Sequence, residues 1–563
     1  MIYHCEDRTC NYWDEGEKLP ERCPQCGRKL LRANEADMTG DDWTALGNTL
    51  WDAEASDKKR MVDCFRKAAY LGSAWGVCNL GICMEQGNGV EADPVQAFWL
   101  YQQAVEMGSL NAVCCLGVCY QYGIGTAPDA KQAAELYCKA AEYGSPRGQM
   151  LLAHAFHDGI GVEADAAEAV YWVRAAAYQR YGEGMHRLGV CYEYGDGVEQ
   201  NWERAVHWFR EAAESGVSAA MTDLGYCYEK GCGVEQSWEQ AFSWYRRGAE
   251  CGYPVSMSNL GLCYKRGYGV EQNLQEAVKW YEQGAQCGHL QAMNNLAYCY
   301  EYGEGVEQNE ERALYWYRRG AEAGSDYCMY CLGWNYSNGE GVEQNMTEAI
   351  RWYTAAAEGG NADAMHNLGW LYDHGEGVEQ DMKKAICWYE RAAEQNHPAA
   401  MNSLGECYAM GRGVPRDLET AMEWYRRAAE LGEAMADYNM GWHLEQAGKL
   451  SEAYAHYRKA ADGNDDSAWW ALGRFYENGV VVAQDGKEAR RCYETGEKLG
   501  SVKCKMRLAR CKLLGIGGRR AKKAGLDLCR QALELAKESS EKEDYGYEAE
   551  MNLLRRTIAE NES

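Results

Sequence analysis

Four cysteines in two close pairs are the strongest chemical signal in the 563-residue chain: Cys5-x4-Cys10 and, twelve residues on, Cys23-Pro24-Gln25-Cys26. Two thiolate pairs suit a tetrahedral metal, and Pro24 and Gly27 shape a tight knuckle around the second pair. A segment of some 33 residues is too small to stand on its own core, so the metal would supply the folding energy. The expected cofactor is structural zinc on Cys5, Cys10, Cys23 and Cys26, with His4 as a competing ligand. Iron suits the same four sulfurs. Other patterns carry less chemistry. Ser56-Asp57-Lys58-Lys59 spells Ser-x-x-Lys, but no Ser-Asp-Asn or Lys-Thr-Gly accompanies it. The Gly-x-Gly loops are never followed by Gly-Lys-Ser/Thr and follow no strand pattern, so they are not phosphate loops. Cys328-x2-Cys331 has no second pair. No paired carboxylates, Ser/His/Asp set or Cys/His set rises above the background, and a non-enzymatic protein is expected.

The elements that position these residues follow from a repeat. Leu-Gly, or a near variant, starts at Leu46 and Leu80, then every 36 residues to Met440, then at Leu472 and Leu508: fourteen copies in all. In one copy, Ala219 to Lys230 reads as a first helix with a small and apolar face. Gly231-Cys232-Gly233 breaks it. Ser237 caps a second helix from Trp238 to about Cys251, whose stripe of Ala241, Trp244, Tyr245 and Ala249 has helical spacing. Caps recur in register at Asp93, Asp129, Asp165, Asn201, Asn273, Asn309, Asn345, Asp381 and Asp417. Each unit is an antiparallel helix pair whose faces are buried by its neighbours, which predicts an all-α solenoid of about 14 helix-pair repeats. Repeats are expected over 41–540 and a capping helix over 541–563, on Met551, Leu553, Leu554 and Ile558.

Composition bounds the partners. The chain carries 85 acidic against 58 basic side chains, a net charge of −27. That field repels phosphate backbones and anionic lipid. Binding of nucleic acid by the bulk of the chain and binding to membranes are therefore disfavoured, and basic partners are favoured. No apolar run approaches the roughly 20 residues that span a bilayer, and Met1 to Arg8 has no signal-peptide core. A cytoplasmic protein is expected, in which the 26 Cys are thiols or metal ligands before they are disulfides. One exception is basic: residues 503–530 hold ten Lys and Arg against Asp527. It reads as a solvated face, as a docking surface for another copy, or as a local RNA or lipid contact.

The pattern A-x-x-x-L-G-x-x-Y-x-x-G-x-G-V-x-x-[DNS]-x-x-x-A-x-x-W-[YF]-x-x-A-A resembles the Sel-1-like repeat family, a relative of the tetratricopeptide repeats. The resemblance implies a right-handed α/α superhelix that serves as an adaptor for proteins, with the first helix of each repeat lining the concave surface. Residues 440–471 lack the glycine loop and are closer to a tetratricopeptide turn. Residues 1–33 resemble a rubredoxin-like zinc ribbon, from which Cys5-x4-Cys10 departs by its wider spacing. This second resemblance raises an alternative, an electron-transfer or redox-sensing protein using an iron-loaded ribbon. Some cysteine-rich relatives of the repeat family imply a hydrolase; the motifs above do not support one.

A partner would be met by the first-helix face that points away from the helix-pair core. Two positions after the Leu stand Tyr226, Leu262, Tyr298, Trp334, Trp370, Glu406 and Trp442. Five positions after it stand acidic residues, among them Glu229, Glu301 and Asp373, and one position before it stand Asn259, Asn295 and Asn367. Rings beside carboxylates suit Lys and Arg, and a row of amides could hold an extended backbone. The expected partner is a protein segment, basic or mixed basic and apolar, on Tyr226, Glu229, Asn259, Asn295, Tyr298, Glu301, Trp334, Asn367, Trp370, Asp373 and Trp442. The same rings and amides could instead pack between repeats.

Overall fold

The computed structural model of the protein describes residues 2–5, 13–15, 30–32, 35–51, 55–542 and 547–562. At the N-terminus, strands Ile2–Cys5, Trp13–Glu15 and Leu30–Arg32 form an antiparallel sheet with the first strand in the middle. His4 pairs with Trp13 and Cys5 with Leu30. Of the four expected metal ligands, Cys10, Cys23 and Cys26 lie outside the described residues. Only the backbone is described at Cys5.

The remaining described chain is helical. It divides into two compact units, Met1–Ala292 with Glu304–Val306, and Met293–Gly303 with Glu307–Ser563. In the first, helix pairs run from Gly40–Thr49 with Ala55–Tyr70 to Pro254–Arg266 with Leu274–Gln286. In the second they run to Val502–Leu514 with Lys522–Lys542, and Glu548–Glu562 follows. Within each unit a helix packs on its own pair mate and on the first helix of the next pair. This is the α/α solenoid that the 36-residue period predicts.

Three local devices make the repeat. All ten predicted cap residues accept a first-turn amide of the second helix, as Asp93 does from Gln96 N at 2.9 Å and Asn201 from Arg204 N at 2.9 Å. At the end of the first helix, the loop glutamine reaches back to a last-turn carbonyl: Gln200 Nε2 donates to Glu193 O, and Gln236 Nε2 to Glu229 O, both at 2.8 Å. Gly231 ends that helix in the left-handed region, φ +73°.

The Gly of Leu-Gly has a packing reason. A Cβ on Gly225 would lie 2.6 Å from Cε1 of Tyr245, and the same ring edge meets Gly81, Gly117, Gly261, Gly333, Gly369, Gly405, Gly441 and Gly473. The second-helix Tyr thus lies flat on a glycine window of its pair mate. Tyr101, Tyr137, Tyr245, Tyr281, Tyr389, Tyr425, Tyr457 and Tyr493 are all fully buried there, and Tyr317 is fully buried as well, in a repeat with Ala297 in place of the Gly. Ala241 and Ala249 are buried beside Tyr245, whereas Trp244 is half-buried with the Arg247 guanidinium 4.3 Å from its ring centre. The cysteines three residues after the Leu, including Cys83, Cys119, Cys227 and Cys263, are buried free thiols. Burial pushes Cys83 up to about 11 and Cys227 up to about 12, so they are protonated packing groups at neutral pH.

Candidate partner-binding face

Three rows of the first helix were expected to face a partner, and the structure separates them. The aromatic row is exposed. Tyr226 in the first unit is 43% exposed, and in the second unit Trp334, Trp370 and Trp442 are 43%, 39% and 38% exposed. Tyr298 is half-buried, its ring 4.5 Å from that of Tyr302. These rings are held on rigid helices whose opposite faces are buried, so they are presented without a cost in backbone order. Exposed rings are not confined to this face: Trp99, Tyr171 and Tyr315 on second helices are also open to solvent.

The acidic row is largely spent inside the repeat. Glu229 Oε2 accepts the Tyr245 hydroxyl at 2.9 Å, and Glu301 Oε2 accepts that of Tyr317 at 2.6 Å. The same bond recurs from Tyr101 to Glu85, Tyr457 to Glu445 and Tyr493 to Glu477. A buried phenol needs an acceptor, and the residue sixteen positions earlier supplies it, or twelve earlier for Tyr457, whose repeat has a shorter loop. Asp373 is 3% exposed and paired with Arg412 at 2.9 Å. It is not offered to a partner, which corrects its place in the expected surface. Glu301 keeps a surface role, because it also lines the pocket described below.

The asparagine row mixes both readings. Asn79 Nδ2 donates to Asn48 at 2.8 Å, and Asn439 Nδ2 to Asn402 at 3.0 Å, so at those positions the amide joins one repeat to the next. Asn259, Asn295 and Asn367 are each half-buried. The row is thus in part a device of the fold, as Asn79 and Asn439 illustrate.

A depression on this face lies within the second unit, between the helices Leu290–Tyr302 and Asp326–Asn338. It comprises two adjoining hollows of about 420 and 170 Å³ that share Glu301, Tyr302, Trp334 and Asn335. The smaller is walled by Tyr298, Tyr317, Tyr327 and Tyr330, and the larger adds Glu310 and Glu340. Burial raises the Glu301 carboxyl above its ordinary range. The Tyr317 hydroxyl lowers it, and the charges of Glu340 and Glu310 raise it further. No Lys or Arg lines either hollow among the described residues. Sequence periodicity pointed to Trp334 and Glu301 separately; Tyr327 and Tyr330 carried no signal, because they depart from the repeat pattern.

Part of the basic run serves the C-terminal helix. Arg507 Nε and Nη2 hold the two oxygens of Glu550 at 2.6 and 2.7 Å, and Trp470 Nε1 donates to Glu550 Oε1 at 3.2 Å. Arg507 and Arg510 also pair with Glu477. Lys503 lies over the Trp470 and Tyr547 rings, and Arg520 Nη2 donates to Asn561 at 2.8 Å. Met551, Leu554 and Ile558 of this helix are buried in one cluster with Met506, Leu513 and Cys529. The helix Glu548–Glu562 is therefore clamped on the last first-helices by charge and apolar packing together.

Among the described residues no group of three or more His, Cys, Asp or Glu could hold a metal, and no helix is long and apolar enough to cross a membrane. Comparison with known proteins agrees with the fold. A protective antigen of uropathogenic Escherichia coli strains, displaying an SLR fold, is 28% identical, with a TM-score of 0.55 over 76% of this chain and 94% of that one. A Sel1 repeat protein from Oxalobacter formigenes is also 28% identical, with a TM-score of 0.43 over 56% of this chain and 93% of that one. No curated protein matches the chain significantly. The Sel1 repeat matches twelve times in succession, from 76–109 through 218–253 and 326–361 to 468–501. With that succession covering most of the helix pairs, the chain belongs to the Sel1 repeat family.

Proposed function

We propose that the protein is a non-enzymatic scaffold that holds a protein segment, basic or mixed basic and apolar, on the first-helix face of its repeats. Proteins of this family generally serve protein interaction. The observation that carries the reading is the row of exposed rings on otherwise packed first helices, Trp334, Trp370 and Trp442 above all. Large rings on a rigid support are the commonest anchors of binding energy, at roughly 2 kcal/mol or more each. The excess of acidic side chains would speed association with a basic segment and make it salt-sensitive. A cytoplasmic location is part of the same proposal, in keeping with the many free thiols.

The test is the double variant Trp334→Ala/Trp370→Ala, with partner affinity and melting temperature measured together. Affinity lower by at least about tenfold at unchanged melting temperature is expected. A variant that melts earlier while its folded fraction binds normally would show that the rings serve packing alone.

We further propose one structural zinc ion on Cys5, Cys10, Cys23 and Cys26, supported by their spacing and by the small sheet in which Cys5 ends the central strand. Metal analysis of protein never exposed to chelator should find one zinc per chain. Finding none would reject the site. Finding one iron would favour the electron-transfer alternative.

A further inference from the structure

The pocket between Leu290–Tyr302 and Asp326–Asn338 is lined by rings and carboxylates and, among the described residues, by no Lys or Arg. At several other rings the chain supplies a cation of its own. Arg247 lies over Trp244, Arg391 over Trp388 and Arg427 over Trp424, each 4.3–4.4 Å from the ring centre and three residues on. On the first-helix face, Lys230 lies over Tyr226 at 5.8 Å, and the His374 ring stacks on that of Trp370 at 4.3 Å. Four positions after Trp334, where Lys230 stands relative to Tyr226, the chain has Asn338, which is not basic.

The same hollow gathers negative charge. Glu301, Glu310 and Glu340 line it, and Glu301 keeps one oxygen beyond the one that accepts the Tyr317 hydroxyl. The carboxylates do not form a metal-binding group. Tyr302 and Trp334 line the same hollow, and aromatic rings attract a positive charge through the ring quadrupole. Taken together, an aromatic wall, a carboxylate rim and no resident cation are complementary to one thing. We propose that this pocket receives a single arginine side chain of the bound protein segment, its guanidinium stacked on Trp334 and paired with Glu301 and Glu340. Arginine is favoured over lysine because a planar fork can stack on a ring and meet a carboxylate at once. The inference rests on the scaffold reading and names the chemistry of one contact within it.

The test needs no knowledge of the partner. Full-length protein carrying 5-fluorotryptophan gives a fluorine resonance for Trp334, assigned by its loss in Trp334→Phe. The probe is the capped tripeptide acetyl-Ala-Arg-Ala-amide, with citrulline in place of arginine as the uncharged isostere. We expect a saturable shift at Trp334 with the arginine peptide and affinity at least about tenfold weaker with the citrulline peptide. Glu301→Gln with Glu340→Gln should weaken binding severalfold; glutamine can still accept the Tyr317 hydroxyl, and the melting temperature serves as the control. Asn338→Arg should place an internal cation over Trp334 and abolish the response without loss of stability. An equal response to both peptides overturns the proposal, as does no response at Trp334 to the arginine peptide. The scaffold reading is judged separately: if Trp334→Ala still weakens a protein partner while the arginine peptide has no effect, the contact is wrong and the binding face stands.

Discussion

Tyr245 and its equivalents do two jobs that a helical stripe reveals only in part. The ring lies on the Gly225 window, and the hydroxyl crosses to Glu229. The period made the buried ring legible, because apolar spacing reports which side of a helix is covered. It did not reveal the hydroxyl bond. That bond links positions sixteen apart on two helices, so neither helix alone carries its signature, and the acceptor looked like a surface acid. The two jobs can be separated. Tyr245→Phe keeps the ring and should cost about 1 kcal/mol. Tyr245→Ala also removes the ring and should cost about 3–5 kcal/mol by analogy with other buried aromatic truncations. Urea melts of the two variants, compared with wild type, check the difference. Near-equal losses would mean the hydroxyl bond, not the ring, dominates.

At the scale of the helix pair, caps and glycine loops were legible at every predicted position, because each rests on one residue acting on its own turn. Contacts between successive first helices were not, since the repeat fixes their spacing but not their partners. His366 is an example. It stacks on His397 at 5.1 Å, and His397 Nε2 lies 3.2 Å from Asp363. Burial is the largest cause holding the His366 imidazole down to about 4, and the neighbouring His397 lowers it further. The unfolded chain takes up this proton near the ordinary value of 6.5, well before the folded one does. His366 therefore leaves stability intact above about pH 6.5 and erodes it as pH falls toward 4. His366→Gln should reduce the drop in melting temperature between those two pH values. An unchanged drop would place the acid sensitivity elsewhere.

For the whole molecule, the 36-residue period already predicted the repeat solenoid. What periodicity could not locate is where the repeats stop being equivalent. The pocket at Trp334 and the clamp on Glu550 both arise from departures, such as Tyr327, Tyr330 and Arg507, that averaging over copies hides. The Glu550 clamp shows that the last first-helices already hold a helical segment through an Arg pair beside a Trp. The central claim is that a partner protein lies on the first-helix face and not on the second. It is tested most directly by placing a photo-crosslinking phenylalanine at position 334 or 370, and in parallel at the exposed second-helix position 315. The account predicts a discrete adduct with another protein from 334 and 370, competed by unlabelled wild-type protein, and none from 315. Adducts from 315 with none from 334 or 370 would contradict it.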